Sequence, residues 1–133
     1  IFGKQQIYNE QDQVCGTEPN LLINATEISF DGLWELVRSY GGVMFPAHVD
    51  KTANSLIANL GFIPPDSRFR TAEVKDLKKL HQLQKDNPYL DKCRIISNSD
   101  AHYLEHMNEP ELTLQVEEKT VQGIIDALLD GAG

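Results

Sequence analysis

Apolar residues after Ser29 recur at helical spacing. Phe30, Leu33, Trp34, Val37 and Tyr40 share one face of a 3.6-residue turn. Ser29 suits the N-cap, because its side-chain oxygen can accept a free N–H of the first turn. Gly41-Gly42 suits the end, since glycine takes the left-handed C-cap conformation cheaply. An apolar run then predicts a strand over 43–47, followed by a loop from His48. Asn54 to Leu60 reads as a short helix ending at Gly61, and Pro64-Pro65-Asp66 as a rigid break. Phe69 to Val74 reads as a strand. Leu77, Leu80 and Gln84 predict a helix from about Asp76 to Lys85, stopped before Pro88. A strand over 94–97, a loop over 103–110 and an alternating strand over 112–116 follow. Val121, Ile124, Ile125, Leu128 and Leu129 mark a final amphipathic helix, 119–129, ended by Gly131. Ahead of Ser29 the pattern is weaker. Gln5 to Tyr8 and Gln13 to Cys15 flank a polar turn and suggest a hairpin, and Leu21-Leu22-Ile23 is too short to classify.

Helix and strand alternate from residue 29 onward. Such alternation predicts an α/β domain with right-handed crossovers and a mainly parallel sheet. In sheets of that kind ligands gather at the C-terminal ends of the strands. His48 follows the 43–47 run. Asp100 and His102 follow the run Ile95-Ile96-Ser97-Asn98-Ser99. All three are therefore expected at one mouth of the sheet.

Composition narrows the partners. The chain has 133 residues, which suits one domain, and 41% hydrophobic content, enough for a core. Its net charge is −8 and it has no Lys/Arg run, so nucleic acid is not favoured as a partner. Lys75, Lys78, Lys79 and Lys85 lie among Asp76 and Asp86 and read as a solvated helix face. An anionic substrate would need metal ions to offset the acidic surface. Cys15 and Cys93 are too few for a disulfide framework, which predicts two free thiols and a cytoplasmic protein. No apolar segment is long enough to span a membrane.

Asp100 and His102 are two residues apart, so an extended backbone puts both side chains on one side. A carboxylate and an imidazole there can share a zinc, manganese or iron ion, and His48 can add a second imidazole. Such an ion lowers the pKa of its water toward ~7 and clamps phosphoryl oxygens. Asp100, His102 and His48 are thus candidate donors to such an ion. Lys51 and Arg70 are candidate substrate contacts, Arg68 is a weaker one, and Glu73, near the C-terminal end of its strand, is a weak candidate for an acid supporting the ligands. The plainer readings are a hydrogen-bonded structural histidine at 48, a turn-capping carboxylate at 100 and a surface histidine at 102. His106 reads as a solvent-exposed loop residue, His81 as surface packing, and Trp34 as core.

Pro46-Ala47-His48 and Ser99-Asp100-Ala101-His102 resemble the third and fourth motifs of the PHP family, named for polymerase and histidinol phosphatase domains. The likeness runs roughly from Ile28 to Leu129. It implies the C-terminal part of a distorted TIM-like (β/α)7 barrel, with up to three divalent ions at the strands' C-terminal mouth. It also implies metal-dependent hydrolysis of a small phosphorylated substrate, with His48, Asp100 and His102 as the metal ligands and Asp100 and His102 as the catalytic residues. The family's opening His-x-His is missing, and the chain starts at Ile1. Residues 1–133 are therefore expected to be the C-terminal portion of a single PHP-type domain. Such a piece would have little activity alone and would self-associate, as a homo-oligomer, through exposed sheet edges.

Two other readings compete. The chain could be a non-catalytic regulatory or protein-interaction module with an incomplete metal site. Alternatively, His48-Val49-Asp50 with His102 mimics the facial triad of non-haem iron oxygenases. That triad sits on all-β scaffolds, whereas this sequence predicts at least three amphipathic helices.

Overall fold

The computed structural model describes residues 3–110 and 112–131. Strands β1 (Gln6–Tyr8) and β2 (Val14–Thr17) form the expected antiparallel hairpin. Its turn is built on Asn9, whose Oδ1 accepts the N–H groups of Gln11 at 3.0 Å and Gln13 at 2.9 Å. Helix α1 (Phe30–Ser39) starts where the sequence places it. Ser29 Oγ accepts the Gly32 N–H at 3.1 Å. Helix α2 (Leu56–Leu60) is capped by Ser55 and ends at Gly61, whose φ of 81° is the left-handed conformation that favours glycine.

Strands β3 (Thr71–Glu73) and β4 (Arg94–Ile96) pair in parallel, with Thr71 opposite Arg94 and Glu73 opposite Ile96. Between them run a 3-10 turn (Leu77–Lys79), α3 (Leu80–Asp86) and a second 3-10 turn (Pro88–Lys92). Helix α4 (Val121–Asp130) closes the chain. Gly123 is required there, because a Cβ at that position would collide with the Glu118 carbonyl.

Two expected strands differ. The 43–47 run is not a regular strand, although it does lie along β3. Glu73 N–H donates to Pro46 O at 3.0 Å, and Val49 N–H donates to Glu73 O at 2.9 Å. A regular parallel bridge would use residue 48 for the second bond, so the segment carries one extra residue there, and Pro46 has no N–H to extend the ladder. The 112–116 run alternates but pairs with no strand among the described residues. It leaves β4 with one bonded neighbour among the described residues. The described residues form two two-stranded sheets and no closed barrel.

The core lies on one face of β3 and β4. Ile63, Phe69, Ala72, Tyr89, Leu90 and Cys93 are buried together, with Phe30, Phe45, Leu56, Ile57, Leu83 and Ile95 packed against them. Phe69 sits edge-on to both Phe30 and Tyr89, with ring centroids 6.3 Å and 5.0 Å away. Trp34, expected in the core, is half-buried, and the Arg68 guanidinium lies 5.2 Å from its ring centroid. Thr71 and Glu73 point to the face opposite Ala72. On that face Thr71 Oγ1 donates to Leu128 O at 2.6 Å and Arg94 Nε donates to Ala127 O at 3.0 Å. These bonds satisfy carbonyls near the C-terminus of α4 and dock it on the sheet. Among the described residues, no helix is long and apolar enough to cross a membrane.

Candidate functional site

Both site-bearing loops leave the sheet at the C-terminal end. The first follows Pro46. Its extra residue puts His48 in positive φ, at 33°. Lys51 N–H then donates to His48 O at 3.0 Å and closes a turn. Two anchors hold this loop. Ser55 is buried, and its Oγ donates to Lys51 O at 2.8 Å while accepting the Ala58 N–H at 3.0 Å. The Asp50 carboxylate accepts the N–H groups of Lys75 at 2.8 Å and Asp76 at 3.0 Å, tying the loop to the end of β3. The second loop follows β4. It is joined to β3's end by Val74 N–H donating to Ile96 O at 2.9 Å and by Ser97 Oγ donating to Lys75 O at 3.3 Å. Asp100 there has φ 51°. Asx and His residues tolerate this region better than most, and such outliers gather at functional sites.

The two loops meet through an ion pair. Lys51 Nζ donates to Asp100 Oδ2 at 2.8 Å, across 49 residues of sequence. That ammonium holds the Asp100 carboxyl below the usual carboxylate range. Partial desolvation opposes the shift, while the charges of Lys51, His48 and Lys75 add to it. His48 is thus within electrostatic reach of Asp100. Its Nδ1 is buried and has no hydrogen-bond partner among the described residues. A buried nitrogen of this kind is ordinarily met by a water, an ion or a ligand.

His102 is exposed but oriented. Its Nδ1 lies 2.9 Å from the Asp100 backbone carbonyl. A carbonyl only accepts, so Nδ1 carries the proton. In the tautomer with its proton on Nδ1, Nε2 holds the free electron pair. Metal-ligating histidines are commonly held in this way, by an N–H given to a carbonyl.

Not every expected residue reaches this site. Arg70 precedes β3 at the opposite end of the strand. Its carbonyl accepts the Arg94 N–H at 2.7 Å, and its side chain lies beside Gly131 and Cys93. It therefore stands apart from Lys51, and the pair does not form one substrate cradle. Arg68 is taken by Glu35 and the Trp34 ring. Both Asp50 oxygens are spent on amides, which removes Asp50 as the middle ligand of a His-x-Asp…His triad. The four helices also do not match that triad's all-β scaffold. Lys75 bears on this site although its sequence context does not point there. Its charge bears on Asp100, yet in the sequence it looks like one more solvated lysine of a helix face.

The donor chemistry suits a divalent ion in part. A buried imidazole nitrogen, an oriented imidazole and a carboxylate belong to one end of the sheet. Among the described residues, however, no three His, Cys, Asp or Glu side chains are grouped to hold a metal. The Asp100 carboxylate faces an ammonium instead. By itself this set is one side of a metal site, not a whole one.

No protein family, curated protein or solved structure matches the chain.

Proposed function

We propose that this chain contributes one side of a divalent-metal phosphoesterase site of the PHP type. His48, Asp100 and His102 are its donors and Lys51 is its phosphate contact. The remaining donors come from outside the described residues, and the sheet of β3, β4 and the segment beside Pro46 is part of a TIM-like barrel. The observation that carries this reading is the Lys51–Asp100 contact at 2.8 Å, which joins two sequence-distant loops at the sheet end where His48 keeps an unpartnered nitrogen. The ion, zinc, manganese or iron, supplies the water activation and neutralising charge that phosphate-ester hydrolysis needs.

The chain's own residues do the positioning. His102, fixed through its Nδ1–H, aims Nε2. Asp100 offers a carboxylate, which the Lys51 ammonium holds in its charged form to lower pH than usual. The Asp50 and Ser55 anchors set the path of the loop that bears His48 and Lys51.

The test is metal content and hydrolysis of p-nitrophenyl phosphate. Both are to be measured on this chain and on the longest natural chain that contains it. The longer chain is expected to bind metal and turn over, and Asp100→Ala to remove both properties. Wild-type rate and metal content in Asp100→Ala would sink the assignment and leave Asp100 as a turn residue. A second reading is a non-catalytic regulatory or interaction module. It is favoured by the incomplete donor grouping, and is the one to keep if neither chain binds metal or hydrolyses the ester.

A further inference from the structure

Strand β4 has an edge that no described residue uses. Arg94 N–H donates to Arg70 O at 2.7 Å and Ile96 O accepts the Val74 N–H at 2.9 Å, so residues 94 and 96 bond toward β3. Successive residues of a strand bond to opposite sides. The N–H and C=O of Ile95 therefore face outward, and no described residue bonds to them. Beside that edge lies a groove of about 300 Å³, made apolar by Ile96, Leu112, Leu114 and Leu128. Arg94, which also lines this groove, lines a second cavity of about 410 Å³ together with Glu117, Glu118, Asp126 and Asp130. Its guanidinium is turned to α4, with Nε donating to Ala127 O at 3.0 Å. One end of the groove is thus acidic.

The hairpin at the other end of the chain has a matching edge. Gln5 O accepts the Glu18 N–H at 2.8 Å and Asn9 N–H donates to Gln13 O at 3.0 Å, both toward β2. Gln6 and Tyr8 therefore point their backbone N–H and C=O groups away from β2, and no described residue bonds to them. No residue of β1 or β2 is buried, and Ile7, Tyr8 and Val14 are exposed. A two-stranded hairpin on its own is marginally stable in water, so a larger sheet to join would stabilise it. Lys4 lies two residues ahead of Gln6 and, in an extended chain, shares the face of Gln6 and Tyr8. It makes no ion pair among the described residues.

We propose that the groove beside β4 receives β1 of a second copy of this chain, in parallel, with Ile7 opposite Ile95. In that register Ile95 N–H donates to Gln6 O, and Tyr8 N–H donates to Ile95 O. Tyr8 falls beside Ile96, over the apolar part of the groove. Lys4 falls past Arg94, at the end where the four carboxylates stand. The reverse direction would carry Lys4 toward Ser97 and Asn98, at the other end of the groove. Charge therefore selects the parallel pairing. Hairpin and groove are different surfaces, so mutual exchange between two copies closes a dimer. The contact does not depend on the metal-site reading.

Sedimentation velocity over a concentration series, with amide exchange followed by NMR at each concentration, tests this on the full chain. The Ile95 and Tyr8 amides should gain protection as concentration rises through the association midpoint. Lys4→Glu should weaken association roughly three- to tenfold, and Asp126→Lys by a similar factor. The double variant, Lys4→Glu with Asp126→Lys, should recover most of the loss, because opposite charges meet again. Lys78→Glu makes the same change in net charge outside the groove and should leave association within about twofold. Ile95 protection that is the same at every concentration means that a segment of the same chain covers the edge, and rejects the proposal. Association that leaves the Ile95 amide exchanging freely rejects it, as does the absence of association. A double variant no stronger than the single ones rejects the parallel register. If a variant fails to fold, the wild-type exchange decides alone.

Discussion

Asp50 and Lys75 are 25 residues apart in sequence, and the Lys75 backbone N–H donates to Asp50 Oδ1 at 2.8 Å. The other oxygen, Oδ2, takes the Asp76 N–H at 3.0 Å. One carboxylate therefore fastens the loop after Val49 to the loop after β3, and Lys51 and Lys75 are set beside one another as a result.

That fastening is expected to be pH-dependent. Burial pushes the Asp50 carboxyl up, but the amides of Lys75, Asp76 and Asp50 itself, with Lys79, outweigh it and hold it below 3.8. A depressed folded pKa means the carboxylate's contribution is present above about pH 4 and is lost as pH falls through the folded value. Asp50→Asn should cost about 1–2 kcal/mol at pH 7. It should also unfold less steeply with acid than wild type. Urea titrations at pH 7 and pH 3 measure both, and identical acid sensitivity in the two proteins would contradict the assignment.

Thr71 is fully buried, and its hydroxyl donates to Leu128 O at 2.6 Å. Thr71→Val keeps the shape but strands a carbonyl near the end of α4. A loss of about 1–3 kcal/mol is expected. Hydrogen exchange should speed up first in α4, and a uniform change across all helices would argue against this docking role.

The two thiols should separate by reactivity. Burial pushes the Cys93 thiol up to about 11, and Cys93 is 3% exposed, whereas Cys15 is exposed on the hairpin. A thiol-specific disulfide reagent at pH 8 should modify one cysteine quickly and the second only in denaturant. Fast modification of both in the native state would be inconsistent with the core.

The two loop histidines should differ. His102→Ala removes a ring held 2.9 Å from the Asp100 carbonyl, whereas His106 is exposed and rests edge-on against Tyr103, with ring centroids 5.4 Å apart. On the proposed site, His102→Ala lowers Mn2+ affinity at least as much as losing an outer partner does, about 10-fold. His106→Ala changes it by less than about twofold on the same ground. Equal effects in a metal titration would remove His102 from the site.

The unpaired edges invite association. β4 has one bonded neighbour among the described residues, and Ile7, Tyr8, Val14, Leu22, Ile23, Leu104 and Met107 are exposed. Sedimentation velocity is expected to show concentration-dependent self-association. A single monomer boundary at high concentration would contradict it.

Local signals were legible in the residues themselves. Ser29 accepts an amide of the helix that follows, and Gly61 ends α2 in positive φ. Ser55 and Thr120 cap α2 and α4 in the same way, but the apolar pattern starts those helices earlier, at 54 and 119. The hairpin was readable because Asn9 sits in a polar turn between two strand-like runs. Where pairing partners decide, the pattern and the structure part. Val43 to Ala47 is as apolar as a strand, but Pro46 and the extra residue at His48 break its ladder. Leu112 to Val116 alternates as a strand should, yet has no neighbour to bond with among the described residues.

The sequence by itself determined which residues could cap, turn, bury and ligate, because those properties depend on the side chain and its nearest neighbours along the chain. It also set the order of the two parallel strands and the end of the sheet at which His48, Asp100 and His102 fall. Only the tertiary structure decided the partners. It gave Asp50 to two amides, Lys51 to Asp100, and Arg70 to the opposite end of β3. Those choices join residues far apart in the chain. Each depends on which loops and strand ends the fold brings together, and a linear pattern carries no such proximity.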